Sequence, residues 1–514
     1  MQEPNTNQFE DSPNGQNKIK VSFDFNQIYY AESNIQPKDL MDETARLLEK
    51  CEPLNHSRIL NELVLQFENL DFESLANPKQ IENFKLNNKH FLVLAVENVL
   101  AIAEKNRWGL CRNNDFIYLY NGTFWSELER ETFQKFLGEA AENMGIAKFD
   151  ARYFLFREQL FKQFLASAYL PTPEVNDKKV QINLKNGTFE ISVNGNQIKP
   201  FDRSDFLTYQ LPFEYNPTSK APLFQSYLDR VLPDKERQRV LSEYLGYVFI
   251  KHGNGTLKEE KALVLYGTGA NGKSVFFEIV NALLGAENVS SFSLQSLTNE
   301  NGYFRAKLSN KLVNYASEIN GNLEASIFKQ LVSGEPVEAR LPYGQPFTLK
   351  QYAKLIFNCN ELPKDIEHTN AYFRRFLIIP FDVTIPSEEQ DKELHIKIIE
   401  SELSGVFNWV LDGLSRLLKQ KRFSECEAAK KAVEQYRIES DSVQLFLSEY
   451  GYRVSTVLEV PLKELYSDYR TFCLENGFKS CSSRTFSDRL RNSGFQATRR
   501  NYGYVVHAEK ISSF

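Results

Sequence analysis

Apolar positions along the chain change period several times. Around residues 39–70 they recur at helical spacing, through Leu47 and Leu48 and then Leu60, Leu63 and Leu65, which predicts short helices. Strand grammar comes after them. Residues 116–120, an Asn121-Gly122 turn and residues 123–125 predict a hairpin, and 180–184, 185–187 and 188–191 predict a second. Over 221–250 the helical period returns, through Phe224, Tyr227, Leu228 and Val231, then Leu241, Tyr244 and Leu245. An α/β pattern comes next: apolar strands at 262–266, 311–316 and 354–358, separated by helical or looped segments and closed by an amphipathic helix over 396–418. Residues 461–476 read as an amphipathic helix, and Ser482 or Ser483 would cap another. Two strands, 495–500 and 502–507, then flank Asn501.

These changes divide the 514 residues into a polar, disordered leader (1–20), an acidic helical region (21–85), an α+β domain (86–250), an α/β domain (251–420), a charged helical linker (421–440) and a small C-terminal domain (441–514). Composition is that of a globular protein, 42% hydrophobic and 25% charged. Six scattered cysteines without a C-x-x-C pair argue against a zinc ribbon or a secreted disulfide framework. The polar N-terminus and the lack of a long apolar run predict a soluble, cytoplasmic protein without membrane contact. A net charge of −6 does not exclude nucleic acid, because the acidity is local: residues 1–85 hold 8 Lys+Arg against 15 Asp+Glu, residues 441–514 hold 10 against 8.

The sharpest chemical signal is Gly267, Thr268, Gly269, Ala270, Asn271, Gly272, Lys273 and Ser274, a G-x-x-x-x-G-K-S run after an apolar strand and before a helical pattern. In that context glycines let backbone N–H groups turn around a phosphate, and the helix N-terminus adds positive charge. Lys273 would reach the β- and γ-phosphates of ATP and Ser274 would ligate Mg²⁺. Hydrolysis also needs a carboxylate at a neighbouring strand end, and Glu318 closes the next good strand as the second candidate metal ligand.

From these motifs onward the order resembles the superfamily 3 helicases, specifically the poxvirus and phage/plasmid primase-helicase family, over roughly residues 150–450. The 267–274 run matches the family's motif A and Glu318 the acidic end of motif B. Residues 328–345 resemble motif B′, and 354–363 resemble motif C with Asn360 as the sensor of γ-phosphate or attacking water. Residues 373–381 resemble the arginine-finger segment, with the choice between Arg374 and Arg375 open. The resemblance implies a P-loop, AAA+-like α/β motor at 251–420, ATP and Mg²⁺ as cofactors, and a homo-hexameric ring whose finger acts in trans.

Motif B′ itself reads as a hairpin, 336–341 and 346–350 around a tight turn at 342–344, and the resemblance implies that it tracks one DNA strand. Tyr343 would stack on a base, and Arg340, Gln345 and Lys350 would contact the backbone, although the Lys-His pair that animal-virus relatives carry at the tip is absent. The C-terminal order of helix, helix and hairpin reads as a winged helix. Arg484 and Arg491 on its second helix, and Arg499 and Arg500 on its wing, are candidates for DNA, with protein docking as the alternative. Residues 1–85 contain Phe23-Asp24-Phe25 but no D-x-D strand, so primer synthesis by this chain is not expected. The expectation is an ATP-dependent helicase of a phage, plasmid or other mobile element. It would unwind single-stranded and forked DNA at replication, with a separate primase or polymerase as a candidate partner. A DNA-binding initiator or loader is the second reading, and a small-molecule P-loop kinase the third.

Overall fold

The computed structural model describes residues 54–113, 116–170, 179–192, 195–253, 257–317, 319, 323–342, 344–363 and 367–511. The expected leader lies outside the described residues.

The first layer is mostly helical. Helices His56–Val64, Asn88–Lys105, Arg130–Asn143 and Phe154–Ser167 share one core built on Ile59, Leu63, Val96, Phe133 and Phe164. Against it lies an antiparallel sheet of β1 (Gly109–Asn113), β2 (Phe116–Tyr120) and β3 (Trp125–Leu128). The expected hairpin is the β2–β3 pair, with Tyr120 opposite Trp125. Its turn is held by the side chain of Asn121, which accepts from the N–H groups of Thr123 and Phe124. β1 carries no alternation and was not expected.

β4 (Lys179–Leu184), β5 (Gly187–Ser192) and β6 (Gly195–Lys199) form a second antiparallel sheet, the first two being the expected hairpin with Leu184 opposite Gly187. Its inner residues Ile182, Leu184 and Phe189 join the core of a parallel sheet. That sheet is built from β7 (Ala262–Tyr266), β8 (Val289–Ser290), β9 (Val313–Ala316), β12 (Lys354–Cys359) and β13 (Phe376–Pro380), in the order β13-β7-β12-β9-β8. The hairpin β10 (Val337–Arg340) and β11 (Pro346–Leu349) is inserted between β9 and β12, as the sequence predicts, with Arg340 opposite Pro346.

Both faces of the parallel sheet are covered, which explains why its strands read as unbroken apolar runs. In β7, Leu263 and Leu265 face the core shared with helices Pro222–Val231, Lys235–Tyr247 and Leu394–Gln420. Ala262 and Val264 face the core that holds Phe328, Leu331, Phe357 and Ile378. The segment read as a linker forms the helix Glu427–Glu439, which lies on β13. Its Tyr436 is buried, with ring centroids 5.5 Å from Phe373 and 5.7 Å from Phe376.

The C-terminal module has helix Ser442–Glu449, β14 (Tyr452–Pro461), helices Leu462–Glu475 and Ser483–Asn492, β15 (Ala497–Arg500) and β16 (Gly503–Lys510), with sheet order β14-β16-β15. Ser482 caps its last helix by accepting from the Thr485 N–H, and Phe446, Leu465, Tyr469, Phe486 and Leu490 fill its core.

Candidate functional site

The 267–274 run leaves the C-terminal end of β7 and enters the helix Lys273–Leu284. All three of its glycines are required by geometry, Gly269 by a φ of +113°. Gly272 stands at φ +85° before the first helical turn, and a Cβ there would lie 2.7 Å from Val231 Cγ1. A Cβ on Gly267 would lie 2.5 Å from the Phe381 carbonyl oxygen. The loop is tied down on three sides. Asn271 Nδ2 donates to the Phe381 carbonyl at 3.1 Å, the Ile385 N–H donates to the Ala270 carbonyl at 2.7 Å, and the Tyr227 hydroxyl donates to the Gly272 carbonyl at 2.8 Å.

Lys273 folds back across this loop. Its ammonium donates to the Gly267 carbonyl at 2.6 Å and to Asn271 Oδ1 at 3.1 Å, and its burial lowers its pKa from the ordinary lysine value. The ammonium has no carboxylate in ion-pair range among the described residues, which leaves its charge available to an anion in the same loop. A cradle closed to any Cβ at 267 and 272, with a buried cation across it, fits a phosphate group.

Asn360 follows β12. Because Cys359 pairs with Tyr266 and its carbonyl accepts from the Gly267 N–H at 3.2 Å, Asn360 stands at the same sheet edge as the loop, exposed. Glu318 lies outside the described residues. Arg374 and Arg375 sit at the opposite edge: the Arg375 carbonyl accepts from the Ala262 N–H at the start of β7. A five-residue strand separates the two edges, about 16 Å at strand rise.

The two arginines differ sharply. Arg375 is buried, with Nη2 donating to Ser333 Oγ at 2.9 Å and Nη1 to the Ala371 carbonyl. Arg374 is exposed; Glu260 pairs with both arginines, at 3.4 Å from Arg374 and 3.7 Å from Arg375. The choice left open by spacing is thus sorted by environment into one buried and one accessible guanidinium.

The hairpin residues Arg340, Gln345 and Lys350 are exposed, and Arg340 Nε donates to the Gly344 carbonyl at 2.9 Å; Tyr343 lies outside the described residues. In the C-terminal module all four candidate arginines are exposed. Arg491 pairs with Asp488 at 3.1 Å and Arg500 with Glu459, whereas Arg484 and Arg499 make no ion pair among the described residues. Thus the structure brings the loop and Asn360 to one sheet edge and puts the arginine pair at the other. Sequence reasoning missed Tyr227 and Phe381 as supports of the loop. Tyr227 was legible only as an apolar position in a helix, and Phe381 contributes a backbone carbonyl that no side-chain pattern marks.

Three families match segments of the chain. Residues 99–233 match the family described as D5 N terminal like, residues 265–375 a family of unknown function (DUF5906), and residues 438–513 the family described as Poxvirus D5 protein-like. The protein named "Putative helicase L207/L206" of Acanthamoeba polyphaga mimivirus is 26% identical over 284 residues, which is 50% of this chain. The chain spans only 28% of that relative's length. Two structures of the NrS-1 C-terminal region in apo form align over 82% of this chain and 99% of theirs, at 11% and 13% identity, with TM-scores of 0.44 and 0.43. The D5-type matches stand on both sides of the residues that carry the phosphate-loop motif, and over those two segments the chain resembles the poxvirus-type primase-helicases.

Proposed function

We propose that this chain is an ATP-driven replicative DNA helicase of the superfamily 3 kind, a P-loop, AAA+-like motor working as a hexameric ring on single-stranded and forked DNA. The observation that carries the reading is the placement of Lys273 and Arg374 at opposite edges of one parallel sheet. Residues 267–274 and Lys273 would hold the phosphates of ATP. Ser274 and Glu318 would hold Mg²⁺, which when bound would neutralise charge on the phosphates. Asn360, at the edge of the loop, would orient the attacking water through its amide. Arg374 is too far along the sheet to serve its own loop, yet it is exposed, which suits a finger offered to the next subunit. Such fingers are worth about 10³–10⁵ in rate. Arg375 has the partners of a structural residue.

Arg340, Gln345 and Lys350 would follow the DNA backbone from the β10–β11 hairpin. We read the C-terminal module as a winged helix whose exposed Arg484 and Arg499 contact phosphate. A D5-like helicase role in replication is supported by the family matches and by the name of the mimivirus relative.

A forked duplex carrying a fluorophore and a quencher tests the proposal. Strand separation that requires hydrolysable ATP is the expected result. The same signal with a non-hydrolysable analogue would replace it with the initiator or loader reading.

A further inference from the structure

A cavity of about 400 Å³ lies between β2, the root of the β10–β11 hairpin and the start of β12, and none of residues 267–274 lines it. Its walls combine two chemistries. Phe116, Tyr118, Phe206, Phe249 and Phe347 supply rings, while Lys251, Lys311, Lys350 and Lys354 supply amines. No Asp or Glu lines it among the described residues. The neighbouring acids are shared: Asp205 pairs with Lys199 at 2.8 Å and also acts on Lys251, and Glu127 accepts from Asn310 Nδ2 at 2.9 Å and also acts on Lys311, so Lys354 is the wall amine that no carboxylate compensates among the described residues.

Lys354 is the unusual member. It is only 6% exposed, with Nζ 3.1 Å from His252 Nδ1 and 4.4 Å from the Tyr247 ring centroid, and no carboxylate pairs with it among the described residues. A buried ammonium without a counter-ion is costly, and burial brings this one down to about 7. His252 is held neutral by its own burial and by the charge of Lys354. With Nε2 donating to the Tyr352 carbonyl at 3.0 Å, its Nδ1 is free to accept from Lys354. An ammonium has three N–H groups, and His252 and the Tyr247 face account for two.

We propose that this cavity is a second nucleotide site, in which the phosphate of a nucleotide, free or within a single DNA strand, meets Lys354 and its base lies against the ring wall that Phe347 and Phe116 form. The volume is in the range of small-molecule sites, and rings with a few placed polar groups are their usual lining. Phe347 and Lys350 belong to the hairpin or its exit, and the Phe347 ring stands 5.6 Å from that of Phe116 on β2. The hairpin root thus meets the first sheet at the cavity wall, where an occupant would touch both. The inference does not depend on the phosphate loop.

Equilibrium dialysis of the full chain with ATP, and fluorescence anisotropy with a ten-nucleotide oligothymidylate, test it in wild type, Lys273→Ala, Lys354→Met and the double variant that carries both changes. Retention of ATP by Lys273→Ala and its loss from the double variant would assign a free-nucleotide site. A fall of at least about tenfold in oligothymidylate affinity on Lys354→Met, about 1.4 kcal/mol, would assign a strand site. If neither probe responds to Lys354→Met, the inference is overturned. Lys251→Gln, an exposed change at the wall, repeats both arms should Lys354→Met fail to fold: a weaker affinity for either probe supports the site, and unchanged affinity for both overturns it. Failure of the phosphate-loop reading shows separately, as the same number of ATP molecules bound per chain in Lys273→Ala as in wild type, whereas a second site beside a working loop shows as one fewer.

Discussion

Lys273 donates its ammonium to the carbonyl of Gly267 at 2.6 Å, closing the glycine loop on the side chain that a phosphate would meet. Replacing it with alanine removes that cation while leaving the strand, the helix and the ties to Phe381, Ile385 and Tyr227 in place. ATP turnover should fall by at least about 10²–10³-fold, the scale for loss of one preorganised donor, with the melting temperature near that of wild type. A steady-state ATPase assay beside a thermal melt checks both, and wild-type turnover refutes the nucleotide assignment.

Arg374→Ala and Arg375→Ala should separate cleanly. The exposed Arg374 contributes little to folding, so its loss should depress turnover and leave stability within about 0.5 kcal/mol. Truncating Arg375 leaves Ser333 and the Ala371 carbonyl without their donor inside the protein, at a cost on the order of 1–3 kcal/mol. Denaturant melts of the two variants measure this. Mixing Arg374→Ala with Lys273→Ala should restore part of the ATPase by pairing an intact loop with an intact arginine, and no recovery at any ratio would exclude action in trans.

Stability should depend on pH through Lys354. Its folded value is near 7 and its unfolded value is that of an ordinary lysine, so between them the unfolded chain holds more protons and stability rises with pH. The slope is at most about 1.4 kcal/mol per pH unit, over roughly pH 7 to 10. Urea titrations at pH 7, 8 and 9 should show the wild type gaining on Lys354→Met. Parallel profiles would mean that the ammonium is not desolvated.

Charge reversal of Arg484 and Arg499 should weaken duplex binding more than ATPase, and should flatten the dependence of affinity on salt. Anisotropy titrations at several salt concentrations check this. Unchanged affinity would favour a protein-docking role for the C-terminal module.

Much of the fold was legible in residue order because the signals are local. A G-x-x-x-x-G-K-S run after ALVLY needs only its neighbours to be read as strand, loop and helix, and an i, i+3, i+4 pattern announces the helix that holds Phe224, Tyr227 and Leu228. The β10–β11 hairpin and the cap at Ser482 were readable for the same reason. The charged run at 421–440 read as a linker because its helix contributes few buried residues, and the burial of Tyr436 depends on Phe373 and Phe376 far away in the chain. β14 was missed because its exposed positions carry no alternation and its pairing partner lies some fifty residues later.

By itself the sequence determined the α/β class of residues 251–420, the glycine loop and its lysine, and the antiparallel hairpins β2–β3, β4–β5 and β10–β11, since each follows from periodicity and turn chemistry within a few residues. Only the tertiary structure decided which arginine is buried, which side chains brace the loop, and that Lys354 stands without a counter-ion beside His252. Those outcomes depend on desolvation and on partners brought together across a hundred residues or more, and neither is written in the spacing of neighbouring side chains.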